Sequence, residues 1–236
     1  MKALLTTFLF FLFCMPISLF GQIKQQPTQQ ELNEKRDSSL PDGKNQFENP
    51  HSIHNFVSST GIGLRKGEGY YNNIYLVSNT GAYGFTKHFS LGLSIIPRFA
   101  FLAIPKLSFQ VRKNFSLGLC GVVGRLDGGP VVAGYGVATF GNRDNNLSVG
   151  MGSGVSTEYS LDSPIFFSIN GQIRVARKVS LITENYILQG HILGVSGFRF
   201  MNAKAAFNLG VIYPNVIGFG PITPFLGFGI PFKSKK

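Results

Sequence analysis

Between residues 85 and 210 the chain keeps rebuilding one small device: a polar, usually basic turn followed by apolar, small polar, apolar and glycine. It stands at Lys87-His88-Phe89-Ser90-Leu91-Gly92, at Arg112-Lys113-Asn114-Phe115-Ser116-Leu117-Gly118 and at Asn145-Asn146-Leu147-Ser148-Val149-Gly150. Shorter forms stand at Arg177-Lys178-Val179-Ser180-Leu181 and Phe207-Asn208-Leu209-Gly210. A tight turn feeding a segment with one greasy and one small-residue side is a hairpin entering a sheet. A chain built from such units has few choices. It forms a sandwich, or it closes on itself.

Period-two alternation continues beyond the repeat. Leu107, Phe109 and Val111 oppose Lys106, Ser108, Gln110 and Arg112; Ile165, Phe167, Ile169, Ile173 and Val175 oppose Ser168, Asn170, Gln172 and Arg174. Side chains two apart share a sheet face, so each strand carries an apolar side and a polar one. Twelve strands are predicted, with ten as the alternative: Asn55–Leu64, Asn72–Phe85, Phe89–Pro97, Ile104–Arg112, Phe115–Gly124, Val131–Gly141, Leu147–Tyr159, Ile165–Val175, Val179–Leu188, Ile192–Met201, Lys204–Tyr213 and Ile222–Phe232. Short turns alternate with longer loops, the habit of all-β, closed antiparallel up-and-down transmembrane barrels, whose short turns lie on the periplasmic side.

The distribution of charge favours that barrel over a soluble sandwich. From residue 55 onward there are 17 Lys and Arg against 6 Asp and Glu, and all of them fit turns, loops or the polar side of strands. None needs to project from an apolar face, where Lys or Arg would cost about 2–4 kcal/mol in lipid. Gly150, Gly152 and Gly154, with Gly134 and Gly136, are read as an inward small face that leaves room for facing side chains. Tyr70, Tyr71, Tyr75, Tyr83, Tyr159, Tyr186 and Tyr213 are candidates for interfacial girdles. The lumen-facing candidates are Lys106, Gln110, Arg112, Glu158, Asn170, Gln172, Arg174, Glu184, Arg199 and Lys204. They form either an internal plug of hydrogen bonds and ion pairs or the wall of a narrow, anion-preferring pore or binding cavity.

The start of the chain has the layout of a cleaved signal peptide: Lys2, an apolar run from Ala3 to Phe13, Pro16, and small residues before a cut after Gly21. Residues 22–54, rich in Gln, Asn, Ser and charge, are expected to be a flexible periplasmic extension, with residues 55–236 forming the barrel. Cys14 leaves with the signal, so Cys120 remains without a disulfide partner. An exported basic protein meets lipid head groups and small anionic solutes rather than nucleic acid. A periplasmic partner for residues 22–54 is the further expectation.

Two stretches resemble known sequences. Lys66-Gly67-Glu68-Gly69-Tyr70-Tyr71-Asn72-Asn73, with Tyr83-Gly84-Phe85-Thr86 and Phe89-Ser90-Leu91-Gly92, is similar to the first hairpin of a group of small outer-membrane barrels common in Bacteroidota-type bacteria. The last strand, with Leu226, Phe228, Ile230 and Phe232 opposite Gly227 and Gly229, looks like the assembly signal of Gram-negative outer-membrane proteins. The resemblance implies a barrel in the outer membrane and no particular activity.

Motifs for chemistry are weak. Gly67-Glu68-Gly69 lacks the Lys-Ser/Thr pair and helix of a phosphate loop. His51 and His54 have no third ligand at suitable spacing, and neither a metal nor a cofactor is expected. Ser196, His191 and Glu184 suggest a barrel-wall lipid hydrolase only until the strand rise is applied, which puts Ser196 about 17 Å from His191. No enzyme is expected. The reading is an outer-membrane barrel, either a narrow pore or binding barrel, or a non-conducting structural partner.

Overall fold

The computed structural model describes residues 49–126, 129–156, 165–188, 191–213 and 223–233. Strand-forming residues fill it: β1 Glu68–Ile74, β2 Ser78–Gly84, β3 Phe89–Ile96, β4 Ala100–Arg112, β5 Phe115–Leu126, β6 Gly129–Gly141, β7 Asn146–Ser156, β8 Ile165–Ala176, β9 Val179–Leu188, β10 His191–Met201, β11 Ala206–Tyr213 and β12 Thr223–Lys233. Each pairs antiparallel with its sequence neighbours, and β1 pairs with β12, so the twelve strands close into one barrel. Closure satisfies every wall segment between two neighbours and leaves no sheet edge.

The count of twelve is reached by a different route from the one expected. Asn55–Leu64 is not a wall strand; its only ladder contact is a bridge between His54 and Ser59 within its own hairpin. The predicted single strand Asn72–Phe85 is instead two, β1 and β2, folded at Tyr75 and Leu76, both of which have positive φ. One strand is lost and another divided.

Alternation holds around the wall. Leu107, Phe109, Leu117, Leu119, Val149, Met151, Phe167, Ile169 and Ile173 are exposed on the outside, whereas Lys106, Ser108, Ser148, Ser168, Asn170 and Gln172 are buried inside. Gly152 faces inward, and the reason is space: a Cβ there would lie 2.4 Å from the Tyr135 Cβ and 2.7 Å from the Phe166 ring. Gly134 and Gly136 depart from expectation, since they pair with Gly121 and Leu119 on the outward parity of β6. Tyr70 and Tyr186 also turn inward rather than joining an outer girdle, and Tyr159 lies outside the described residues.

The short turns after β2, β4, β6, β8 and β10 share one rim with the start of β1 and the end of β12, where Glu68 pairs with Lys233. The expected signal peptide and residues 22–48 lie outside the described residues.

Candidate functional site

Residues 49–64 run inside the barrel. The sequence predicts a flexible extension to residue 54 and then a wall strand; the structure replaces both with a hairpin that rises from the short-turn rim, turns at Asn55–Ser58 and descends to Leu64. Asn49, His51, Ser52, Ile53, His54, Asn55, Phe56, Ser58 and Thr60 are all buried. The turn is closed by Asn55 N–H donating to Ser58 O at 2.9 Å and Thr60 N–H donating to Ile53 O at 3.0 Å.

A turn leaves backbone donors and acceptors without partners, and inside a barrel water supplies few. Two wall residues of opposite charge supply them here. The Glu184 carboxylate accepts the N–H groups of Phe56 (2.8 Å), Val57 (3.0 Å) and Ser58 (2.7 Å), and takes a further hydrogen bond from the Tyr186 hydroxyl. The Arg199 guanidinium donates to the carbonyls of His51 (2.9 Å), His54 (3.1 Å) and Asn55, while its Nε donates to Asn208 Oδ1 at 2.8 Å. Both side chains are 0% exposed, so each charge depends on the hairpin for its compensation.

Packing completes the seat. Phe56 packs against Phe225 with ring centroids 4.9 Å apart and planes tilted by 53°, and meets Ile182 and Val195 from β9 and β10. The returning arm is held by Tyr135 Oη (from Ser59 N–H, 3.3 Å), Thr139 Oγ1 (from Gly61 N–H, 2.7 Å), Lys106 Nζ (to Ile62 O, 2.7 Å) and Arg143 Nη2 (to Gly63 O, 3.3 Å). This arm presses against the wall: a Cβ at Gly61 would stand 2.5 Å from Ser116 O, and one at Gly63 would stand 2.7 Å from the Ser108 Cβ. Glycine at these two positions is what permits the approach.

The expected lumen residues therefore divide. Lys106, Asn170, Gln172, Glu184 and Arg199 gather around the hairpin, Asn170 donating to Ser58 Oγ (3.1 Å) and Gln172 contacting Arg199 and Arg143 O. Gln110 shares the inward parity of Lys106 but stands exposed where β4 reaches the rim, and Arg112 is corrected out of the lumen set, because a bulge between the two sets it opposite Phe115 of the outward row. Arg174 is tied at that rim to Asp144 at 2.8 Å. Lys204 is corrected from strand to turn, exposed between Met201 and Ala206, because β10 ends at Met201 and β11 begins only at Ala206. Glu158 lies outside the described residues. Ser196 bonds to Thr183 (2.9 Å) and Tyr213 (2.8 Å) on the outward parity of β10, whereas Glu184, opposite Val195, faces in, so the two are not partners in a triad.

Sequence reasoning missed the hairpin, Arg143, Thr139, Tyr135 and Tyr186. Ile53 and the pair Phe56-Val57, apolar residues inside a polar segment, were the available signal for the hairpin. His51 and His54 have their rings 6.2 Å apart, and Nε2 of each is buried without a hydrogen-bond partner. Burial, then the Arg199 charge, lowers their pKa values to about 2 and about 3, so both are neutral in the seated hairpin.

Above the hairpin tip the described residues leave part of the lumen unfilled. A chamber of about 350 Å³ lies between the hairpin and the long-loop end of β1–β5, floored by His54, Tyr70 and Lys106 and walled by Ile74, Ile96 and Ile104. Below, a second hollow of about 530 Å³ opens at the short-turn rim beside Lys66, Lys87, Lys113 and Arg143.

No family model and no curated protein sequence matches the chain. Among solved structures the chain is similar to the KdgM porin, with a TM-score of 0.54 at 8% identity over 70% of this chain and 98% of that one. It is likewise similar to the KdgM porin in complex with disordered oligogalacturonate, with a TM-score of 0.53 at 8% identity and the same coverage. The outer membrane protein Omp33 of Acinetobacter baumannii aligns with a TM-score of 0.37 at 10% identity over 71% of this chain and 96% of that one. What the chain shares with the KdgM porin is the fold.

Proposed function

We propose that this chain is an outer-membrane porin-like barrel, exported with a cleaved signal peptide, whose lumen is closed at rest by its own N-terminal hairpin. The apolar exterior suits lipid, the twelve-strand closure matches the fold of a porin, and the first-hairpin resemblance to small Bacteroidota-type barrels agrees with that location. The observation that carries the reading is the paired latch: Glu184 on the amides and Arg199 on the carbonyls of one buried turn. A solute entering from the long-loop side meets a dead-ended chamber, so at rest the barrel binds rather than conducts.

With the hairpin withdrawn, Lys106, Arg143 and Arg199 face the lumen against Glu184 and Glu68, an excess of positive charge that favours anions. Planar-bilayer recording tests this. Wild type is expected to be silent at neutral pH, and a variant lacking residues 49–62 is expected to conduct with a reversal potential favouring chloride. A wild type that conducts steadily, or an open variant that prefers cations, contradicts the reading.

A further inference from the structure

We infer that the chamber above the hairpin binds a small amphiphile with one anionic head, a short-chain carboxylate in type, with the head on Lys106 and the aliphatic tail toward the long-loop rim; this deepens the closed-barrel reading and rests on it.

The first ground is an imbalance of charge. Glu184 and Arg199, the other two charges buried at the hairpin, each have several partners. Lys106 is buried too, yet its ammonium, with three donors, reaches one neutral acceptor, Ile62 O, and pairs with no carboxylate among the described residues. A buried ammonium is poorly stabilised by one carbonyl, and an anion is the chemistry that completes it. His54, whose Nε2 also lacks a partner, lines the same floor and offers a second polar contact for a head group.

The second ground is the change of character along β4. From the rim upward its inward side chains are polar as far as Ser108 and Lys106, and then aliphatic at Ile104 and Leu102. Val122 of β5 and Ile96 of β3 continue that wall. Such a lining suits a hydrocarbon chain better than a hydrated ion. Its volume of about 350 Å³ falls within the range of small-molecule sites, which are mostly apolar with a few placed polar groups. One charge at the floor and a wall that is aliphatic on β4 and β5, with the Thr80 and Ser94 hydroxyls of β2 and β3 bonded to each other at 2.8 Å, select a molecule with the same polarity.

The test is equilibrium binding of octanoate to the full-length barrel in lipid nanodiscs, with protein-free nanodiscs subtracted and octan-1-ol and octylamine as comparators. Saturable binding at one site is expected, at least tenfold tighter for octanoate than for either comparator and weakened at least tenfold by Lys106→Met. Ile104→Trp, which fills the tail space and leaves the ammonium in place, is expected to weaken it comparably and carries the test should Lys106→Met fail to fold. Equal affinity for octanol, an unchanged affinity in either variant, or no saturable binding overturns the inference. Conductance recorded on the same preparation separates the two levels: a silent wild type that ignores octanoate sinks the ligand alone, whereas a conducting wild type sinks the closed barrel.

Discussion

The two ends of the lumen solve opposite problems with the same wall. Toward the short turns, charged and amide side chains are spent on a segment of the chain's own backbone, and the space that remains is a basic hollow of about 530 Å³ at the rim beside the descending arm. Toward the long loops, the inward residues are aliphatic or hydroxyl-bearing, Ile104 and Thr80 among them, and the described residues leave a chamber between them. A barrel wall by itself is neutral about whether it encloses a post or a cavity. What decides is where the chain places backbone to be solvated by side chains. Phe56 and Val57 at the hairpin tip mark the border, Phe56 fully buried and Val57 exposed toward the chamber.

The most severe way to break this contrast is to remove the filler. Deleting residues 49–62 is expected to turn a silent barrel into a conducting one while the twelve strands keep their pairing, as read by far-UV circular dichroism beside bilayer recording. A gentler break is Phe56→Ala, which empties the contact with Phe225, Ile182 and Val195. Large-to-small changes of this kind cost about 3–5 kcal/mol, and the cost is expected to fall on the seated hairpin, seen as faster proteolysis within residues 49–67. Glu184→Gln attacks the latch instead, placing an amide against three N–H donors. A loss of about 2–3 kcal/mol in seating is expected, visible as accelerated hydrogen exchange at Phe56, Val57 and Ser58.

Acid acts more mildly and in a known direction. His51 and His54 lie in the hairpin, facing Arg199 and Lys106, with Glu184 the acid that balances Arg199. Their pKa values are about 2 and about 3 when seated and near 6.5 when released. The released state therefore binds more protons between those values. The histidine contribution to seating is intact above pH 6.5 and is lost as pH falls toward about 3, by at most about 1.4 kcal/mol per pH unit for each histidine. Conductance of the wild type is expected to rise on acidification below pH 6.5, and His51→Gln with His54→Gln is expected to flatten that rise. The smallest effect is expected at the rim, where Arg112→Glu should leave closure unchanged and alter stability by less than about 0.5 kcal/mol, checked by thermal unfolding.

The wall was legible in the sequence because alternation is a local property: Phe109 and Ser108 reveal their faces without knowledge of any partner. So was the rim, since a turn such as Arg177-Lys178 carries its own chemistry. The hairpin was not legible, for a physical reason. Thr60-Gly61-Ile62-Gly63 alternates as a strand would, and nothing local distinguishes a segment pressed against a wall from one that forms it. Glu184 and Arg199 were visible as inward charges, yet their partners are backbone groups more than 120 residues away in the chain, which side-chain pattern does not encode. Lys204 was misplaced because β11 begins at Ala206, later than the alternation suggested.

Cross-linking across the contact between hairpin and wall tests the central claim most directly. Ser58 Oγ lies 3.1 Å from Asn170 Nδ2, so Ser58→Cys with Asn170→Cys, in a Cys120→Ser background, brings two thiols to the same contact. On mild oxidation of membrane-embedded protein the account predicts a disulfide in nearly every molecule and a barrel that stays silent even in acid until reduced. Two thiols that remain apart, both open to a water-soluble maleimide at neutral pH, would show that the hairpin does not occupy the lumen.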